Sequence, residues 1–342
     1  MMAVNILYAS DNNFAHVLGT SLISLYENNP SCALFTYIIS QGISEENLNR
    51  LNAIGDRYHK KIEVIEQPDL ESIVDKKIDI QRYSLSMFSR LIADTLLPEQ
   101  IEKLIYLDCD VIVNGDIRAL WDINISEYTL GAVDDMRSHR YCRNLGMKQS
   151  SHYVNSGVLL INLKRYRELK WQKKMLNGIV SFNSMLEFPD NDLICKLMED
   201  EIKLIHPKFN VFSSMYMGNY EKCMRMRRPK DYYSSDEFYE AKANPVVIHY
   251  TTCFAFAGRP WQEGCTHPEK SAFDKYYRLS PWKDIPYQFI LTGANDRIRK
   301  IYTRLPDRAG AFFIWFLHSW LKPNLQYFTK KRYLKIFCSD RS

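Results

Sequence analysis

The chain has 342 residues, 46% of them hydrophobic and 25% charged, with only 13 Gly and 13 Pro. That make-up belongs to a folded globular protein with a sizeable core, and it excludes disordered and collagen-like chains. The net charge of +5 is uneven: residues 293–342 hold eleven Lys and Arg against three Asp, which leaves the remainder slightly acidic.

In chain order, Val4 to Ala9 reads as a buried strand, followed by a polar turn and an amphipathic helix from Ala15 to Tyr26 that ends at Asn28-Asn29-Pro30. Leu34 to Ser40 and Lys61 to Ile65 are two more short strands. The helix between them is N-capped by Ser44, with Glu45 and Glu46 in its first turn. A helix is expected from about Ser84 to Leu97, stopping at Pro98, and Lys103 to Leu107 is too apolar for an exposed strand. Further elements fall at Tyr128 to Val133, Val158 to Ile161, a helix from Leu163, a helix over Asp192 to Met198, and Val246 to His249. Strands alternating with helices predict one mixed α/β domain over residues 1–285, with a mainly parallel sheet.

Residues 286–342 read as a helical basic and aromatic tail. The apolar run Phe312 to Leu321 stops at Pro323, short of the roughly 20 residues a bilayer span needs. Lys330, Lys331, Arg332 and Lys335 follow, interleaved with Tyr327, Phe328, Tyr333 and Phe337. This pattern suits attachment to an anionic membrane surface; the plainer reading is a C-terminal helix docked on the protein's own core. Nucleic acid is not an expected partner, since the basic residues lie in the tail and Met224 to Lys230, outside any recognised module. The eight cysteines show no C-x-x-C pair, and the first residues lack the basic start and long apolar run of a signal peptide, so a cytoplasmic setting is expected.

The chemistry centres on Tyr106-Leu107-Asp108-Cys109-Asp110-Val111, two carboxylates two residues apart at the end of an apolar strand. Ligands of open α/β sheets bind at the carboxyl ends of strands, and hard oxygen donors there suit Mg²⁺ or Mn²⁺. Asp-x-Asp alone is weak, and a haloacid dehalogenase-like phosphatase also uses it, although that class needs the pair after an early strand. His249 ends a second apolar run, where a core histidine is the bland alternative to a metal ligand.

Taken together, Ile6 to Phe14, Arg90, Tyr153-Val154-Asn155-Ser156-Gly157, Phe188-Pro189-Asp190-Asn191-Asp192 and Ile248-His249-Tyr250 make an ordered set that resembles the retaining glycosyltransferase family 8. Within it the bacterial lipopolysaccharide galactosyl- and glucosyltransferases are similar, and glycogenin more distantly. The resemblance spans about residues 4 to 285. It implies a single-domain nucleotide-diphospho-sugar transferase fold of Rossmann-like type, with a UDP-sugar donor and Mn²⁺ or Mg²⁺ held by Asp108, Asp110 and His249.

By the same resemblance, Ala9, Asp11, Asn13 and Phe14 hold uridine. Arg90, Cys109, Asn155, Ser156 and Gly157 face the donor, with Asp135 a further sugar contact, and Asp190 and Asn191 flank the reacting carbon. The family's Gly and Lys shortly after the histidine are here displaced to Gly258 and Arg259 by a longer loop, and Asn191 stands where the family has Gln. The implied activity is transfer of galactose or glucose to a saccharide acceptor; attachment through the basic, aromatic tail adds the expectation that this acceptor is lipid-linked and reached at the inner face of the cell membrane. A fold retained for carbohydrate binding without turnover is the non-enzymatic alternative.

Overall fold

The computed structural model describes residues 3–68, 85–182, 186–289 and 294–328. Ser84 and the basic run from Lys330 to Lys335 lie outside the described residues.

Strand β1 (Val4–Asp11) runs through the middle of the molecule, and Ile6, Leu7 and Tyr8 are wholly buried although they point to opposite faces. A strand covered on both sides needs this unbroken apolar run. Helix α1 (Ala15–Asn28) carries the chain to β2 (Leu34–Gln41), and α2 (Glu45–Tyr58) carries it to β3 (Lys61–Glu66). The α2 cap is as expected: the Ser44 hydroxyl accepts from the Asn47 N–H, and Glu45 and Glu46 lie in the first turn. The later strands are β4 (Lys103–Leu107), β5 (Val111–Val113), β6 (Leu130–Asp134), β7 (Val154–Asn162), β8 (Ile202–Leu204), β9 (Val211–Phe212) and β10 (Val247–His249).

Seven strands form one sheet in the order β3-β2-β1-β4-β7-β6-β8. Four pairings are parallel, and β7 runs antiparallel to both β4 and β6. The expected mixed, mainly parallel sheet is therefore present. Side chains alternate across it: Ile6, Tyr8, Ile105, Leu107, Val158 and Leu160 pack into one core, while Leu7, Ala9, Leu104, Tyr106, Leu159 and Ile161 pack into another. Each fully buried Leu or Ile contributes roughly 1.5–3 kcal/mol, so the central strands whose carboxyl ends carry the site are firmly held.

Two expectations change. The helix foreseen up to Leu97 is a 3₁₀ stretch, Leu85–Leu91, and then a single α-turn, Ala93–Leu96. Ser89, Arg90, Leu91 and Ile92 are all buried; the segment is held by tertiary contacts on every side, which a periodic pattern does not encode. Strand β7 begins at Val154 rather than Val158, because the buried Asn155 and Ser156 find partners that let polar residues continue a strand.

The C-terminal segment packs on the sheet domain. Helix α3 (Pro189–Leu197) and helix α4 (Tyr220–Arg227) precede it in the chain, and helix α5 (Asp307–Ile314) continues as a π-helical turn, Trp315–Leu321, then as helix over 322–328. Ala311 and Ile314 join the larger core, and the Ser319 hydroxyl donates to the Met226 carbonyl at 2.8 Å. Tyr141 Oη donates to the His318 carbonyl at 3.0 Å, and Asn144 Nδ2 to the Pro323 carbonyl at 2.6 Å. The opposite side of the segment exposes Phe312, Phe316 and Trp320, at 62%, 36% and 36%. Nearer residue 286 the chain is not helical, since Gln288–Phe289 pairs as a short parallel ladder with Gln262–Glu263.

Candidate active site

Strand β4 delivers Asp108 at its carboxyl end, and the Asp108 N–H donates to the Gly157 carbonyl of β7 at 2.8 Å. The chain then enters β5, which pairs antiparallel with β10 so that Val111 lies opposite His249. The Tyr250 N–H closes the junction on the Asp110 carbonyl at 2.9 Å. These pairings bring one ligand atom each from Asp108, Asp110 and His249 within 4.8 Å of one another.

His249 Nε2 lies 3.2 Å from Asp110 Oδ1 and 3.8 Å from Asp108 Oδ2. Its Nδ1 donates to Asn210 Oδ1 at 2.9 Å, Asn210 Nδ2 donates to Asn155 Oδ1 at 2.9 Å, and Asn155 Nδ2 donates to Asp135 Oδ1 at 3.1 Å. This chain fixes the tautomer and turns the Nε2 lone pair toward two carboxylates, an arrangement that calls for a cation or a proton between them. Two carboxylates and an imidazole fit a divalent transition metal such as Mn²⁺ better than the all-oxygen preference of Mg²⁺. Gly157 leaves the room: a Cβ there would fall 2.2 Å from His249 Cε1 and 2.7 Å from Asp108 Oδ2.

The two carboxylates are held differently. Burial pushes the Asp108 carboxyl up, against the attraction of Arg90, and the charge of Asp110 adds to the rise. Asp110 is desolvated too, yet His249 and Arg259 outweigh that and hold it well below the usual carboxylate range. Arg259 Nη1 bonds both Asp110 Oδ2 and the Tyr250 carbonyl, and Nη2 donates to Thr252 Oγ1 at 2.7 Å. The longer loop after His249 thus returns its arginine to the carboxylate pair, and Gly258 makes the return in a left-handed conformation (φ 62°).

Arg90 is 7% exposed, not the solvated residue an isolated helical arginine would be. Its Nη2 donates to Asp108 Oδ1 at 2.7 Å, its Nη1 to the Ser156 carbonyl and hydroxyl at 2.7 and 2.9 Å, and Nη1 lies 3.1 Å from Asp190 Oδ2. One planar fork therefore ties strand β4, strand β7 and α3 together. Asn191 Oδ1 accepts from the Ser156 N–H at 2.8 Å, and Ser156 Oγ donates to Asp190 Oδ2 at 2.6 Å. Of the adjacent pair, Asp135 faces this network with Arg137 as its ion partner, while Asp134 turns to His152 at 2.8 Å.

A cleft of about 570 Å³ brings together Arg90, Asp108, Asp110, Asp135, Asn155, Ser156, Gly157, Asp190, Asn191, His249 and Arg259. The candidates Ala9, Asp11, Asn13, Phe14, Cys109 and Gly258 do not line it. Asp11 Oδ1 caps the following turn, accepting from the Asn13 and Phe14 N–H groups at 2.9 and 3.1 Å. Phe14 is half-exposed and meets Trp261 edge-on at 5.8 Å, and Asn13 opens on a neighbouring cavity of about 180 Å³. Cys109 turns inward and donates to the Ala9 carbonyl at 3.1 Å, which fastens β1 beside the carboxylates. Sequence reasoning missed Asn210, Arg137, Arg227, His318 and Lys322. None sits in a motif; Arg137 reaches the site through its near neighbour Asp135, and the others through long-range contacts.

The sheet order, with a metal-competent Asp-x-Asp and His set at the carboxyl end of its central strands, defines a nucleotide-sugar transferase fold. The galactosyltransferase LgtC, solved with donor and acceptor sugar analogs, superposes with a TM-score of 0.69 at 24% identity, over 82% of this chain and 99% of that one. General stress protein A of Bacillus subtilis is 25% identical over 286 residues, 82% of this chain and 96% of that protein. A lipopolysaccharide 1,2-glucosyltransferase of Escherichia coli is 24% identical over 294 residues, covering 83% and 80%. The sequence model of glycosyl transferase family 8 matches residues 5–265, and the chain belongs to that family. It is a glycosyltransferase, and the phosphatase alternative is set aside.

Proposed function

We propose that the protein transfers galactose or glucose, with retention, from a UDP-sugar to a saccharide acceptor in lipopolysaccharide or other surface-glycan synthesis. The observation that carries this is the convergence of Asp108, Asp110 and His249 with the Arg90–Ser156–Asp190 network in one cleft. Mn²⁺ or Mg²⁺ held by the first three would supply Lewis-acid stabilisation of the departing diphosphate. Arg90 holds Asp108 and Asp190 at fixed separation, and Asn191 fixes the Ser156 backbone beside them, so the donor sugar meets a preorganised wall. Asp190 is already engaged by an arginine and a hydroxyl, which favours a positioning role and a front-face route in which the leaving phosphate takes the acceptor's proton. Mass spectrometry after incubation with donor alone should find no glycosyl adduct on Asp190.

The direct test is turnover of UDP-galactose and UDP-glucose with Mn²⁺, with the anomer of the product read by NMR. Retained product from one donor is expected; no turnover of either, with a panel of saccharide acceptors, sinks the reading.

The same reading places the protein at the inner face of the membrane, with a lipid-linked acceptor and the segment beyond residue 285 as its attachment. Its support is the exposed row Phe312, Phe316 and Trp320; no helix among the described residues is long and apolar enough to cross a membrane. Because Ala311 and Ile314 are core, deleting residues 310–342 is not a clean test. Replacing Phe312, Phe316 and Trp320 together by Ser should abolish sedimentation with anionic vesicles; undiminished sedimentation would remove the row from the argument.

A further inference from the structure

The C-terminal segment also walls the active-site cleft. Its inner side presents His318 and Lys322, and α4 adds Arg227 from its last turn. Phe254, in the longer loop after His249, stacks on the His318 ring at 5.0 Å with 14° between planes, so loop and segment meet over the cleft.

The ion pairs of the cleft leave one cation of this wall without a partner among the described residues. Asp108 and Asp190 pair with Arg90, Asp110 with Arg259 and His249, and Asp135 with Arg137. Lys322 pairs at 2.8 Å with Glu187, which lies outside the cleft lining. Arg227 is the cation left over: its Nε is buried without a hydrogen-bond partner, and the described residues offer it no ion pair. His318 Nε2 is likewise buried and unpartnered. Its neutral form is enforced by burial and then by the nearby charges of Arg227, Lys322 and Arg137, which bring its pKa down to about 4. A cation in a last helical turn serves its own helix dipole. Arg225 stands in the same turn, yet only Arg227 lines the cleft.

Buried donors without partners are costly unless a ligand satisfies them. We infer that Arg227, His318 and Lys322 form a subsite for an anionic substituent, phosphate or carboxylate, on the acceptor saccharide. The inference rests on the transferase reading above and gives its acceptor a chemical class. A phosphate would use the guanidinium fork, the imidazole N–H and the ammonium together; a carboxylate would use the fork.

The test loads the full-length protein with UDP and Mn²⁺ and measures binding of glucose, glucose 6-phosphate and glucuronate by ligand-observed NMR. The wild type should prefer at least one anionic sugar over glucose by about tenfold or more, as a charge-assisted contact gives, and the two anions separate the phosphate from the carboxylate case. Arg227→Gln and, independently, the less buried Lys322→Gln should reduce that preference severalfold, with part of it restored by Arg227→Lys. Equal binding of all three sugars to a wild type that holds UDP overturns the inference, as does a preference that survives both Gln variants. Loss of UDP affinity in the variants with the preference intact also overturns it, by assigning the cluster to the donor diphosphate. A wild type that binds no UDP overturns the proposed UDP-sugar donor, on which the inference rests, before any sugar is added.

Discussion

Gly157→Ala adds one methyl group to the most crowded point of the site. The new Cβ would lie 2.2 Å from His249 Cε1, 2.8 Å from His249 Nδ1 and 2.7 Å from Asp108 Oδ2. Carbon–carbon contacts relax at about 3.5 Å or more, so the imidazole must retreat by roughly 1.3 Å or the β7 backbone must give way. Metal sites tolerate about 0.2 Å in ligand distance, and a misplacement of about 1 Å costs on the order of 10²-fold in activity. Overpacking elsewhere in a core costs about 1–3 kcal/mol, so the fold should survive with a fall of several degrees in melting temperature. Calorimetry with UDP and Mn²⁺, run beside a thermal melt, separates the two effects. The expected result is a folded variant whose Mn²⁺-dependent UDP affinity is about a hundredfold weaker. Wild-type UDP affinity in a folded Gly157→Ala protein would show that His249 and Asp108 do not act together at this point, and the reasoning would fail.

Asn210→Ala should weaken Mn²⁺ binding by about 10–100-fold, because His249 Nδ1 loses the acceptor that fixes its tautomer; a Mn²⁺ titration that superimposes on the wild type contradicts this. Arg90→Lys keeps the charge but not the fork that reaches Asp108, Ser156 and Asp190, and turnover should fall by at least about 10²-fold, while substitutions at the exposed Arg118 should leave it unchanged. His267 is buried and His318 half-buried, and each is held neutral: burial, and then Arg259 for His267 and Arg227, Lys322 and Arg137 for His318, brings the pKa down to about 4. Between roughly pH 6.5 and 4 the unfolded chain therefore binds more protons than the fold, and stability drops as the pH falls, by up to about 3 kcal/mol for each group. His267 Nδ1 accepts from the Glu269 N–H and its Nε2 faces Ser213 Oγ, a pattern only the neutral ring can supply. His267→Gln should flatten the melting temperature against pH over that window, and an unchanged slope would refute the assignment.

What the sequence made legible follows from how local each signal is. The apolar runs of β1 and β4, the Ser44 cap and the Asp-x-Asp spacing are encoded within a few residues, and the structure has them where they were read. Arg90 was legible as a functional candidate through the ordered motifs, but not as the buried tie among β4, β7 and α3, because its partners lie 18, 66 and 100 positions away in the chain. Asn210 was invisible for the same reason: it follows a short 3₁₀ turn, with no periodic or motif signal to mark it. The tail is the mixed case. Its apolar and aromatic run was legible, but not which side would be exposed: Phe312, Phe316 and Trp320 face outward, while the inner side closes the cleft, a role set by tertiary contacts to Tyr141, Asn144, Met226 and Phe254.

Asp108, Asp110 and His249 are proposed to hold a divalent metal that binds a nucleotide-sugar donor. Isothermal titration of UDP into the wild type and Asp110→Ala, each with and without Mn²⁺, tests this most directly. Tight binding is expected only for the wild type with Mn²⁺, with its loss in Asp110→Ala. UDP binding that is equal in all four titrations, or absent from all four, would contradict the proposal.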